Sequence, residues 1–224
     1  MKKDTTNDMT VGSPVSLIIK FMIPMCLGNL FQQFYNIADS IVAGKFIGVN
    51  ALAAIGSTGS LMFFVTGWLN GLSSGFAILV AQWFGAKKYD RIRQGYRISF
   101  GILTIWGLII TAAFVLLPRP ISGLFFHDPE SLGISVNYLI IIGFCEAFMA
   151  IELMTIGALS GLGMTKLCSI ISIILTGARI PLAMLLTHAG MGLNGIWWAL
   201  SLTSIVKGII FTLTFRQTSR TKLK

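Results

Sequence analysis

The 224 residues are 54% hydrophobic and only 11% charged, with a mean hydropathy of +0.81. Soluble domains carry about 25% charged residues, so this composition excludes a water-facing globule and identifies an integral membrane protein. The net charge of +9 does not signal nucleic acid, because no stacking aromatics are interleaved with exposed basic residues.

The chain begins with MKKDTTNDMTVGSP, which is polar for too long to read as a signal peptide. A spanning helix needs about 20 mostly apolar residues, and six stretches qualify: 16–41, 51–84, 98–117, 133–159, 168–187 and 193–215. The second is too long for one perpendicular span and must tilt or lie partly in the interface. The expected fold is therefore all-α: a cytoplasmic segment over residues 1–15, a six-helix transmembrane bundle over 16–215, and a basic cytoplasmic tail over 216–224. Short connectors carry the breaks, with Gly85 to Arg97 read as one loop and Pro118, Pro120 and Pro129 punctuating another.

Alternate sides of these spans differ sharply in basic residues. Lys2, Lys3, Lys20, Lys87, Lys88, Arg91, Arg93, Arg97, Lys166, Arg216, Arg220, Lys222 and Lys224 fall on one side, against Lys45 and Arg119 on the other. That bias predicts both termini in the cytoplasm. Cys26, Cys145 and Cys168 lack ligand spacing and read as small core residues rather than a metal or disulfide framework. His127 and His188 read as loop residues, and no metal site is expected.

The first span, within FMIPMCLGNLFQQFYNIADSIVAGKFIGVNALAA, keeps a carboxylate, Asp39. A charge at the centre of a span costs about 2.5–3.5 kcal/mol on insertion scales, so such groups mark ion pathways or find partners. Gln32, Asn36 and Asp39, spaced by four and three, share one helix face with Tyr35 beside them. This oxygen-rich stripe suits H⁺ or Na⁺ coupling; the competing reading is an interfacial capping Asp39. Glu146 and Glu152 lie six apart on the fourth span and point to different sides, and at least one can be interfacial. Arg179 fits a structural ion pair with a carboxylate, and Lys207 can snorkel. Pro24 and Pro181 are expected to bend their spans. Gly67, Gly71 and Gly75, and again Gly157 and Gly161, recur at the spacing that lets helices pack closely. No catalytic constellation and no phosphate-binding loop is present, so an enzyme is not expected.

The run MTVGSP, the amide-rich first span with its aspartate, and the turn AQWFGAKKYDRIR stand in the order that resembles the multidrug and toxic compound extrusion (MATE) transporters. GALSGLGMT, RIPLA and GLNGIWWALSLTSIVKGII are similar to that family too, more to its second lobe than its first. The resemblance implies a plasma (inner) membrane antiporter that exchanges organic, often cationic, compounds for H⁺ or Na⁺, with no other cofactor and with Asp39 as the coupling carboxylate. It also implies small-molecule substrates and a lipid surrounding. Family members carry two six-helix lobes, and this length matches one, so a half-size unit that forms a homodimer is expected. The alternatives are a shortened, non-transporting paralogue or partner subunit, and, ranked below it, a lipid-linked saccharide flippase. Where the family's fifth helix offers an Asn and an Asp four residues on, Arg179 and Ala183 stand here.

Overall fold

The computed structural model describes residues 12–46 and 49–223. Among them the chain is helical, without strands: α1 (Pro14–Phe46), α2 (Val49–Gly85), α3 (Tyr89–Leu116), short α4 (Pro118–Gly123), α5 (Pro129–Gly161), α6 (Thr165–Gly177), α7 (Arg179–Leu186), a π-helical turn (Thr187–Met191) and α8 (Leu193–Lys222). Six helical stretches among the described residues are long and apolar enough to cross a membrane, α6, α7 and the π turn together forming the fifth. At 37 residues, α2 is about 55 Å long by helical rise, well over a hydrocarbon core of about 30 Å.

The helices outrun the expected spans. Residues 89–97, read above as loop, form the first turns of α3, and α8 continues past Phe215 to Lys222. Both extensions are polar, so hydropathy cut them short; helix continues there because nothing in DRIRQGYR or RQTSRTK breaks it. Instead the breaks follow local chemistry. Asp128 caps α5, accepting from the Ser131 N–H at 2.8 Å, with Pro129 at the first helical position. The turns after α2 and α5 share one hydrogen-bond pattern. Lys88 N–H donates to Trp83 O and Lys87 N–H to Phe84 O; Met164 N–H donates to Leu159 O and Gly163 N–H to Ser160 O. This Schellman closure needs a left-handed residue, which is Gly163 (φ 76°) in one turn and, against preference, Lys87 (φ 56°) in the other.

α5 is the central helix, packed on α2, α3 and α8. Its register is fixed by small residues. A Cβ on Gly157 would lie 2.6 Å from Ser73 Oγ, and one on Gly161 2.6 Å from Ala77 O, so α2 runs parallel to α5 at backbone-contact distance. Gly107 of α3 abuts the Ala147 backbone, and Gly208 of α8 the Phe148 carbonyl. Ser201 of α8 donates to Ile141 O at 2.9 Å, one more parallel register point. The Gly67, Gly71, Gly75 stripe behaves differently from expectation. All three are exposed, with nothing described within 4 Å of an added Cβ. α2 packs on α5 through Leu69, Ser73, Phe76 and Val80, and that register turns the stripe outward. Cys145 and Cys168 are buried as expected for small core residues, whereas Cys26 is exposed. Large apolar side chains such as Phe63, Phe64, Leu116 and Leu213 also face outward, as lipid-facing residues do.

The fifth span is broken. α6 ends at Gly177, Ala178 intervenes, and α7 starts at Arg179. Pro181 lacks the N–H that would reach the Gly177 carbonyl, and its ring crowds that carbonyl. On the first span, α1 runs through Pro24 as a single helix, with Ser169 of α6 donating to the Pro24 carbonyl at 2.7 Å.

Candidate functional site

Four acidic or basic side chains among the described residues lie buried inside the bundle, contributed by α5, α7 and α8. Glu146 is 0% exposed, Glu152 7%, Arg179 2% and Lys207 4%. Both glutamates, at least one of which the sequence allows at the interface, are buried within the bundle. Six residues apart on α5, they point in different directions, one toward α8 and one away from any described partner.

Glu152 meets α8. Lys207 Nζ stands 3.5 Å from Glu152 Oε1, so the lysine does not snorkel to a surface but ends against a carboxylate. Arg179, placed by the α6–α7 break, donates from Nε to Thr203 Oγ1 at 3.1 Å. Thr203 passes its own proton back to the Ala199 carbonyl at 2.8 Å, the usual helical back-bond that leaves its lone pairs for the guanidinium. Arg179 is also within electrostatic reach of both Glu152 and Lys207. Two basic side chains and one carboxylate thus cluster where α5, α7 and α8 meet. The net positive potential of this group acts on whatever occupies the neighbouring interior.

Glu146 stands apart from that group. It lies near the midpoint of α5, about 25 Å from Pro129 by helical rise. Neither carboxylate oxygen has a hydrogen-bond partner among the described residues. A buried carboxyl with no protein donor carries a proton or takes a cation, since a bare charge in a low-dielectric interior is too costly.

The side chains of Gln32, Tyr35, Asn36 and Asp39 lie outside the described ones, although the α1 backbone carrying them is helical. The sequence reading passed over Thr203; its signal was its spacing of four from Lys207 on one helix face.

The sequence profile described as MatE matches residues 24–185. A probable multidrug resistance protein of Bacillus subtilis, YoeA, is 23% identical over 202 residues, covering 88% of this chain and 44% of its own. A probable multidrug resistance protein of Thermotoga maritima, NorM, is 32% identical over 152 residues, covering 65% of this chain and 31% of its own. Among solved structures, an outward-facing multidrug resistance MATE transporter of the MOP superfamily superimposes with a TM-score of 0.86 at 21% identity, over 95% of this chain and 47% of its own. The chain spans about half the length of the relatives it matches.

Proposed function

The chain belongs to the MatE family of multidrug transporters, and on that premise we propose that it works as one lobe of a cation-coupled antiporter. It exports organic, often cationic, compounds across the plasma membrane in exchange for H⁺ or Na⁺. A second six-helix unit, in the simplest case another copy of the chain, completes the cavity. The observation that carries this reading is Glu146, a mid-span carboxyl with no protein partner for either oxygen among the described residues. Loading that carboxyl removes a buried negative charge and unloading restores it. The energetic difference between the two states is the sort that can shift a bundle between access states.

Asp39 on α1 is the second coupling carboxyl in this reading. The Glu152–Lys207 pair and Arg179 act as fixed charges that tie α5, α7 and α8 into one body, so that α1 moves against them. Dye efflux from cells lacking their own pumps tests the proposal, with membrane expression matched between the wild type and Asp39→Asn. Efflux by the wild type that Asp39→Asn abolishes supports it. Equal efflux from both chains removes Asp39 from the coupling step. No efflux from either, with the chain in the membrane, points to the second reading: a partner subunit that needs a different lobe.

A further inference from the structure

Outside the α5–α7–α8 group, four arginines gather in a groove between α3 and α8, at the bundle end where α2 passes into α3. The groove encloses about 620 Å³. Arg93 and Arg97 of α3 and Arg216 and Arg220 of α8 line it, and among the described residues no carboxylate does. Arg93 is committed to the protein: it donates to the carbonyls of Ser219 and Leu223 and reaches the exposed Asp90 at 3.9 Å. Arg97, Arg216 and Arg220 are exposed and make no ion pair among the described residues. Beneath them Tyr96 and Phe215, both buried, stack at 3.7 Å between ring centroids and floor the groove with apolar surface.

We infer that this groove binds the phosphate of an anionic phospholipid from the leaflet at that end of the bundle. Arg97, Arg216 and Arg220 converge with no ion-pair partner among the described residues, and their fork geometry matches phosphate oxygens. Basic pockets between spanning helices take phospholipid head groups by this chemistry. The apolar floor distinguishes a lipid from free phosphate: the glycerol and first methylenes lie on Phe215 and Tyr96 while the phosphate meets the arginines. The same two helices continue into exposed Ile98, Ile102 and Leu213, where acyl chains belong. The inference does not depend on transport.

Native mass spectrometry of the purified chain, titrated with phosphatidylglycerol or phosphatidylcholine, tests it. Compared are the wild type, the groove triple Arg97→Gln/Arg216→Gln/Arg220→Gln, and a control triple, Lys87→Gln/Lys88→Gln/Arg91→Gln, which removes the same charge from the same end outside the groove. The groove triple is expected to weaken phosphatidylglycerol binding at least about tenfold. The control should keep wild-type affinity within about twofold, and millimolar inorganic phosphate should not displace the lipid. Equal losses in the two triples reduce the effect to surface charge and overturn the groove, as does equal binding of phosphatidylcholine. Displacement by inorganic phosphate overturns the lipid assignment in favour of a soluble ligand. Should the glutamine triple lose its helical circular dichroism, the lysine triple at the same three positions decides. Threefold or greater weakening, at about that size, supports a guanidinium–phosphate contact, and unchanged affinity sinks it.

Discussion

Glu152 and Lys207 face each other at 3.5 Å with little solvent to screen them, and that geometry has an asymmetric consequence. Removing one partner strands the other charge, whereas removing both leaves an apolar contact. Lys207→Met alone should lower stability by about 3–5 kcal/mol, and the double variant Glu152→Leu/Lys207→Met should recover most of that loss, read by unfolding titrations in mixed micelles. Lys87 stands in the left-handed conformation that Gly163 adopts in the matching turn. Lys87→Gly should therefore stabilise the chain by about 1 kcal/mol in the same assay. Asp128 is a titratable cap at the solvent-exposed start of α5. The hydrogen bonds it accepts from Ser131, first from the side chain and then from the backbone N–H, hold its carboxyl below the ordinary value of 3.8. A carboxyl lowered by folding contributes stability that is complete above the unfolded-state value and fades as pH falls through the folded one. The melting temperature of the wild type should thus drop on acidification below about pH 4, and Asp128→Asn, which keeps a capping oxygen, should show a flatter profile. Of these residues the sequence exposed the charges, because an ionisable group in an apolar run needs an explanation. It did not expose their pairing. Lys207 meets Glu152 across 55 positions, and only the parallel packing of α5 and α8 brings them together.

The second scale is that of helix against helix. Identical small-residue spacings on α2 and α5 have opposite environments: Gly157 and Gly161 are pressed against α2, while Gly67, Gly71 and Gly75 face outward. Gly157→Ala should destabilise by about 1–3 kcal/mol, since the new methyl meets Ser73 backbone that cannot yield. Gly71→Ala should be neutral or stabilise by up to about 1 kcal/mol, through helix propensity alone. The spacing was legible in the chain, but not which stripe pairs, because periodicity names a face without naming its neighbour. Helix ends show the same limit. The six spans follow from apolar length, yet the first turns of α3 and the last turns of α8 are amphiphilic and vanish in a hydropathy reading. The break before Arg179 was half visible: Pro181 announced a distortion, and only the fold reveals that it delivers Arg179 to Thr203.

At the scale of the molecule, α2 and α8 run parallel to the central α5, with α3 antiparallel beside α5 and the broken α6–α7 span closing on α8. Apolar length was enough to read this as a membrane bundle, and the family was readable from the first span and the AQWFGAKK turn. The site was less so: Asp39 drew attention as a carboxylate kept in an apolar span, whereas Glu146 and Glu152 were told apart only by the Lys207 that pairs with Glu152 and the lack of a described partner for Glu146. The central claim is that a carboxyl inside this bundle exchanges a cation while a drug crosses. Reconstituted into liposomes with an imposed H⁺ or Na⁺ gradient, the chain should move a cationic dye against its own gradient. Glu146→Gln, which keeps the shape and cannot exchange a cation, should bind dye yet lose gradient-driven movement at least about tenfold. Gradient-driven dye movement that survives in Glu146→Gln at the wild-type rate would contradict the account.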